Sequence, residues 1–203
     1  NIVTGDAYAR AADTVSFSAA ALMGQQVSGQ CIGIVGFGRI GQLVARRAMA
    51  FDMSVLYHSR HRVDEAVEQQ YKAQYRSLDD LLAQADFVVL CCPLSPETRH
   101  LISAPQLALM KRSAILVNVA RGGVVDTTAL TAALSARQIW SAGLDVTDPE
   151  PLPRDHPLLK LSNVIISPHI GSATAQTRNA MGDDAIANLT AALKGLPIPN
   201  RVV

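Results

Sequence analysis

Three side chains that could bind a substrate or transfer a proton lie just after short apolar segments of the chain. They are Arg121, Glu150 and His169, and each follows a different segment. In an open parallel sheet, ligands bind beyond the carboxyl ends of the strands, so we expect these side chains at one edge. A guanidinium can bind a carboxylate, an imidazole can exchange a proton with a carbonyl or hydroxyl oxygen, and a carboxylate can keep that imidazole protonated. Taken singly, each residue is also compatible with an ordinary turn or surface position.

The apolar segments alternate with segments of helical periodicity, a pattern typical of a parallel sheet covered by helices. Ser77, Ser103 and Asp126 precede such segments and predict helix starts. The segments are nearly continuous in apolar residues, as strands buried on both faces are. We therefore predict an α/β fold with a Rossmann-type doubly wound parallel sheet. Six segments are predicted as strands: 31–36, 53–57, 87–92, 114–119, 142–146 and 163–167.

A glycine-rich segment follows the first predicted strand. In the sequence Gly-Phe-Gly-Arg-Ile-Gly, Gly36 would make a tight turn, Gly38 would let the backbone approach a pyrophosphate, and Gly41 would let helix and strand pack closely. The following helix would place the phosphates at the positive end of its dipole. The alternative is a glycine-rich turn without a ligand. The helix is predicted to be amphipathic, with the apolar positions Ile40, Leu43, Val44, Ala48 and Phe51.

The segment after the second predicted strand indicates which dinucleotide would bind. A site for NAD normally has an acidic residue there, which accepts hydrogen bonds from the ribose 2′-hydroxyl. This chain instead has Ser59, Arg60 and Arg62, whose hydroxyl and guanidinium groups suit a 2′-phosphate. We therefore predict a preference for NADP(H), with NAD(H) possible. A solvated basic loop without this role is the alternative.

The composition of the chain argues against a nucleic acid partner, a membrane partner and a metal site. The chain has 203 residues, of which 49% are hydrophobic, and a formal net charge of +1. Without a basic tail or a cluster of lysine and arginine, we expect no nucleic acid partner. Because no apolar run approaches the ~18 residues of a membrane span, we expect no membrane partner and a cytoplasmic location. The histidines are scattered, so no metal site is expected.

Several long motifs, in order along the chain, resemble those of the D-isomer-specific 2-hydroxyacid dehydrogenases, and most closely the glyoxylate/hydroxypyruvate reductase branch. The family's Arg–Glu–His catalytic set would fall on Arg121, Glu150 and His169. The resemblance implies reduction of a small 2-oxo acid to a 2-hydroxy acid, and a homodimer formed through the cofactor domain. The motifs lie at residues 33–41, 118–122, 143–146, 149–153 and 167–174.

The resemblance also implies the residues that contact the dinucleotide. Asp145 would hold the nicotinamide carboxamide, and the missing acid after the second strand matches the family members that use NADP. The full expected set of cofactor-binding residues is Gly36, Gly38, Arg39, Ile40, Gly41, Ser59, Arg60, Arg62, Cys92, Pro93, Thr98, Val119, Ala120, Arg121, Asp145, His169 and Gly171.

The family's substrate domain is built mostly from a preceding part of the chain, which this sequence largely lacks. We therefore expect residues 1–203 to form a single dinucleotide-binding domain. Residues 1–20 would be the remainder of an interdomain linker helix, and residues from about 195 to 203 a tail that would return to the substrate domain. Alone, the fragment is expected to be inactive, because water exclusion and substrate positioning are lost. The alternatives are a non-catalytic nucleotide-sensing or interaction module, similar to the corepressors of the family, and an inactive cofactor-domain fragment.

Overall fold

The computed structural model describes residues 2–11 and 22–201, and it confirms the predicted doubly wound parallel sheet. Seven parallel strands lie in the order β3-β2-β1-β4-β5-β6-β7, so the strand order reverses between β1 and β4. Such a reversal opens a crevice where ligands bind in folds of this kind. The strands are β1 Cys31–Val35, β2 Ser54–His58, β3 Ala73–Tyr75, β4 Phe87–Leu90, β5 Ile115–Asn118, β6 Ser141–Leu144 and β7 Val164–Ile166.

Seven α-helices and two short 3₁₀ helices are described. Ser77 and Asp126 cap helices as predicted, accepting hydrogen bonds from the first-turn N–H groups, and Ser103 donates to the Gln106 side chain at the start of another. None of the described helices is both long and apolar enough to cross a membrane. The α-helices are α1 Ile2–Arg10, α2 Arg39–Met49, α3 Glu65–Tyr71, α4 Leu78–Gln84, α5 Ala104–Leu109, α6 Thr127–Ser135 and α7 Ala175–Leu193, and the 3₁₀ helices are Gly122–Val124 and Pro157–Lys160.

The chain divides into two compact units. Residues 1–168 contain the whole sheet and helices α1 to α6, and residues 169–203 contain α7. Of the predicted linker remnant at 1–20, residues 2–10 are helical and 12–20 lie outside the described residues. Helix α7 is capped by Thr174, whose hydroxyl accepts from the Thr177 N–H. The single domain over 1–203 stays a prediction.

Two buried apolar clusters fill the first unit. One includes Leu81, Leu116 and Leu134, and the other includes Phe37 and Tyr57. Two separate clusters are what helices on both faces of a sheet produce.

Helix α2 packs mainly through small residues. Of the apolar positions that the sequence suggested, Ala48 is buried and Val44 packs partly buried against the second cluster. The buried positions of the helix are Gly41, Ala45 and Ala48, whereas Ile40 and Leu43 are exposed. Small side chains let the helix axis approach the sheet closely. At the start of α2 this close approach brings the N–H groups of the helix next to the glycine loop, residues 36–41. Strand β3, which pairs with β2, was not predicted because three residues are too few to show a periodicity.

Asp86 joins the starts of three neighbouring strands. Its carboxylate accepts hydrogen bonds from the Cys31 backbone N–H at 3.0 Å and from Lys111 Nζ at 2.8 Å. Its own N–H donates to the Cys31 carbonyl, and its carbonyl accepts from the Ile115 N–H. Burial raises the pKa of Asp86, but the hydrogen bonds from Lys111 and Cys31, with the charge of Lys111, outweigh burial and lower it below the ordinary value.

We expect Asp86→Asn to lower the free energy of unfolding at pH 7 by about 1–2 kcal/mol, because it removes a charged hydrogen-bond acceptor while keeping an oxygen for the Cys31 N–H. The carboxylate's contribution is complete above the unfolded pKa of ~3.9 and is lost as pH falls through the lower folded pKa. Urea unfolding from pH 7 down to about pH 2.5, below the unfolded pKa, measures this dependence. Asp155→Asn, on an exposed loop, is the control; equal stability of the two variants at pH 7 would contradict the prediction.

Candidate active site

Three backbone segments meet at the glycine loop. Gly36 has φ +94°, and a Cβ at this position would come within 2.5 Å of the Cys92 backbone nitrogen. A Cβ on Gly41 would overlap the carbonyl oxygen of Gly36. The Gly36 N–H donates to the His58 carbonyl at 2.8 Å, which attaches the loop to the end of β2. The end of β1, the start of α2 and the segment after β4 therefore cross without room for side chains.

The first turn of α2 is available to an anion. Its N-cap is Gly38, and in the described part of the chain no side chain caps this turn. A Cβ on Gly38 would have nothing within 4 Å, so the space in front of the turn is open. Free N–H groups and the positive end of the helix dipole favour a phosphate here. The loop therefore fits the pyrophosphate of a dinucleotide.

A cavity continues from the glycine loop past the ends of β4 and β5. Its lining brings together six of the residues predicted to contact the cofactor. Burial, and then the neighbouring Cys92, raises the pKa of Cys91 to about 12, and burial raises the pKa of Cys92, so both thiols stay neutral. The cavity is lined by Ile40, Cys91, Cys92, Pro93, Leu94, Val119, Ala120 and Arg121.

Thr98 does not line this cavity, but it positions Pro93, which does. Its hydroxyl donates to the Pro93 carbonyl at 2.6 Å and accepts from the Ser95 N–H at 2.8 Å. These bonds close the turn after β4 and so fix Pro93.

The loop that carries Arg121 is held by a buried asparagine. Asn118, the last residue of β5, donates from Nδ2 to the Arg121 carbonyl and accepts the Ala120 N–H on Oδ1, both at 3.0 Å. The Arg121 guanidinium donates to the Ala120 carbonyl at 2.7 Å, and the side chain is exposed. Sequence reasoning missed Asn118 as a positioning residue, although an asparagine inside an apolar strand must satisfy its amide and was a usable signal.

The loop that carries Glu150 packs directly on the Arg121 loop. A Cβ on Gly122 would overlap the Thr147 carbonyl oxygen, so the two backbones are in contact. The Thr127 hydroxyl donates to the Asp148 carbonyl at 3.0 Å. The Glu150 carboxylate is exposed and accepts from the Thr147 N–H at 3.3 Å. Backbone contact therefore holds the loops of two of the three predicted catalytic residues against each other.

Asp145 and His169 come from the last two strand ends. The Asp145 N–H donates to the Asn118 carbonyl at 3.0 Å, and its carboxylate accepts from the Ser167 hydroxyl at 2.5 Å. His169 is the first residue of the second compact unit; it is exposed and has φ +53°, which non-glycine residues adopt uncommonly. Gly171 follows it in the same unit.

At the end of β2, the three residues predicted to bind a 2′-phosphate have different surroundings. The Ser59 hydroxyl donates to the His61 carbonyl at 2.5 Å, and Arg60 is exposed. Arg62 donates two hydrogen bonds to the carboxylate of Glu68, which sequence reasoning did not single out. Among the residues the structure describes, no group of three His, Cys, Asp or Glu side chains can hold a metal ion.

The fold and this edge of the sheet define a dinucleotide-binding domain of the Rossmann type. Residues 1–171 match the family described as "D-isomer specific 2-hydroxyacid dehydrogenase, NAD binding domain". The chain belongs to this family, and the predicted resemblance is confirmed.

Named relatives agree with this assignment. The chain is 52% identical over 180 residues to a glyoxylate reductase of Thermococcus kodakarensis, with 89% of this chain and 54% of the relative aligned. It is 53% identical over 176 residues to glyoxylate/hydroxypyruvate reductase B of Salmonella newport, with 86% and 54% aligned. A crystal structure from Thermus thermophilus superposes with a TM-score of 0.92 at 48% identity, covering 100% of this chain and 63% of that one. The chain thus spans about half the length of the named relatives.

Gly122→Ala tests the contact between the loops that carry Arg121 and Glu150. We expect it to lower the free energy of unfolding by about 1–3 kcal/mol, because the added methyl group must displace the Thr147 backbone. The matched control is Gly182→Ala in α7, where a Cβ meets nothing within 4 Å. This control should leave stability unchanged or raise it, as alanine favours helix. Chemical unfolding measures both, and a Gly122→Ala variant as stable as the unmodified chain would contradict the contact.

Proposed function

We propose that the whole protein reduces a small 2-oxo acid, of the glyoxylate or hydroxypyruvate type, with NADPH as the preferred cofactor. The observation that carries the proposal is the contact between the Arg121 and Glu150 loops, beside a cavity that begins at the glycine loop. The names of the relatives support the substrate class. The chain covers only about half of those relatives, so the proposal concerns the whole protein.

The glycine loop and the cavity would hold the cofactor. The open N-terminus of α2 would bind the pyrophosphate, and Cys92, Pro93, Val119 and Ala120 would line the groove beyond it. Asp145, fixed by Ser167, would accept a hydrogen bond from the carboxamide. When bound, the reduced nicotinamide supplies the hydride that the carbonyl carbon of the substrate accepts.

Three side chains would act on the substrate. Arg121 would bind its carboxylate through paired N–H donors, which orients the carbonyl group. Protonated His169 would give a proton to the carbonyl oxygen as the carbon is reduced, so that the product is a hydroxyl group. Glu150 would hold the imidazole and favour its protonated form. In the reverse direction, His169 would accept the hydroxyl proton.

The preference for NADPH is supported by the end of β2. No acidic residue stands directly after this strand, and the first two side chains beyond His58 are Ser59 and Arg60. Arg60 is exposed and can present its planar donors to a 2′-phosphate. A carboxylate in its place would repel that group. Homodimer formation through this domain stays a prediction from the family resemblance.

We expect Arg60→Ala to weaken NADPH binding about tenfold, the size of one charged hydrogen bond, and to leave NADH binding unchanged. The measurement is a titration of the 203-residue chain that follows nucleotide fluorescence. The control is Arg46→Ala, which removes an exposed arginine from the last turn of α2. An unchanged ratio of the two affinities in Arg60→Ala would contradict the NADPH preference.

In the whole protein, we expect His169→Ala to lower the turnover of glyoxylate or hydroxypyruvate by about 10²–10⁴, the usual contribution of a general acid. Circular dichroism, measured in parallel, shows whether the variant still folds. Wild-type turnover in this variant would exclude the proposed proton transfer. If the unmodified protein binds NADPH but reduces no 2-oxo acid, a nucleotide-sensing module is the better description.

A further inference from the structure

Glu68 is a buried carboxylate close to the proposed 2′-phosphate site. In the part of the chain that the structure describes, it and Asn118 are the two buried polar residues. Its Oε1 accepts from the Tyr57 hydroxyl at 2.6 Å and from Arg62 Nε at 2.8 Å, and its Oε2 accepts from Arg62 Nη2 at 2.7 Å. The arginine is therefore held bidentately, while its side chain remains 67% exposed.

The charges in this cluster are well defined. The hydrogen bond from Arg62, followed by that from Tyr57, lowers the pKa of Glu68 to about 2. Burial, with the hydrogen bond to Glu68, raises the pKa of Tyr57 to about 12. At neutral pH the cluster is therefore one carboxylate, one guanidinium and a neutral phenol. The negative charge of Glu68 compensates the positive charge of Arg62.

The cluster is attached to the glycine loop. The Tyr57 ring stacks on Phe37, which lies between two of the loop glycines, with ring centroids 4.4 Å apart. The Tyr57 hydroxyl also accepts from the Val63 N–H at 3.1 Å. The segment from Ser59 to Arg62 is thus held between Tyr57 on one side and Val63 on the other. We therefore expect a change of charge at Glu68 to alter the electrostatics of this segment without moving its backbone.

We propose that Glu68 is a specificity-determining residue for the 2′ position of the nucleotide, acting through Arg62. The inference rests on the function proposed above, because it assigns a role at the same site. A 2′-phosphate carries between one and two negative charges at neutral pH, so a compensated guanidinium attracts it less than a free one. Glu68 therefore limits how strongly the chain favours NADPH over NADH.

The acidic residue that an NAD site normally has after β2 is absent from this chain. Glu68 places a carboxylate near this position, but Arg62 binds that carboxylate. Removing the guanidinium alone leaves that carboxylate uncompensated, which disfavours a phosphate and favours a hydroxyl. Arg62 and Glu68 are therefore coupled, and the effect of either substitution depends on the other.

The direct test is Glu68→Gln in the 203-residue chain. Glutamine keeps an oxygen for the Tyr57 hydroxyl and removes the negative charge. We expect the NADPH-to-NADH affinity ratio, from fluorescence titrations, to rise about threefold, within the range of a charge effect at an exposed site. The control is Glu65→Gln on the same helix, which makes the same change in net charge. Glu65 is exposed and accepts from Gln69 at 3.0 Å, so its substitution should leave the ratio unchanged.

An unchanged ratio in Glu68→Gln, or an equal rise in Glu65→Gln, would overturn the proposal. If circular dichroism shows that Glu68→Gln does not fold, Arg62→Gln takes its place: the proposal requires a fall in the ratio, and an unchanged ratio overturns it. Where both fold, the double variant must recover part of that fall. If the unmodified chain binds neither nucleotide, the proposed function itself is overturned. This result differs from a failure of the Glu68 proposal alone, in which the unmodified chain still binds nucleotide.

Discussion

Strand β1, helix α2 and the segment after β4 cross so closely that their backbones leave no room for side chains, and this close crossing positions the elements around it. Gly36 and Gly41 allow this crossing, and any larger residue would meet the backbone of Cys92 or of Gly36 itself. The crossing sets the close approach of α2 to the sheet and points the helix N-terminus at the crevice where the strand order reverses. A stable fold and a helix N-terminus open to an anion therefore come from the same contact.

The two buried polar residues of the described chain each hold a loop that follows a strand. Asn118 fixes the Arg121 loop after β5, and Glu68 fixes the segment after β2 through Tyr57 and Arg62. Elsewhere the described core is apolar. Since a buried polar group is costly unless it is fully hydrogen-bonded, each of these residues specifies one arrangement of its loop. A rigid apolar sheet thus carries loops whose positions are set by a few polar contacts.

The sheet, the glycine loop and the helix caps could be predicted from the sequence because they follow local patterns: apolar segments, glycine spacing and capping residues. Strand β3 was too short to give a pattern. The exposure of Ile40 and Leu43 on α2 could not be predicted because the small residues of this helix pack more closely than its large ones. The Arg62–Glu68 pair joins residues six apart in different elements, so Arg62 was predicted only as a phosphate ligand. A buried tyrosine hydroxyl, which needs a partner, was the available signal for Glu68.

We propose that a nicotinamide dinucleotide binds across the carboxyl edge of this sheet, with its phosphates at the start of α2. Amide hydrogen exchange of the 203-residue chain, with and without saturating NADPH, can locate the bound nucleotide. We expect added protection in residues 36–41, in 59–62 and in the segments after β4 and β5, with little change at the opposite edge around Asp86. Protection confined to other parts of the chain, or none while the fold is intact, would contradict this proposal.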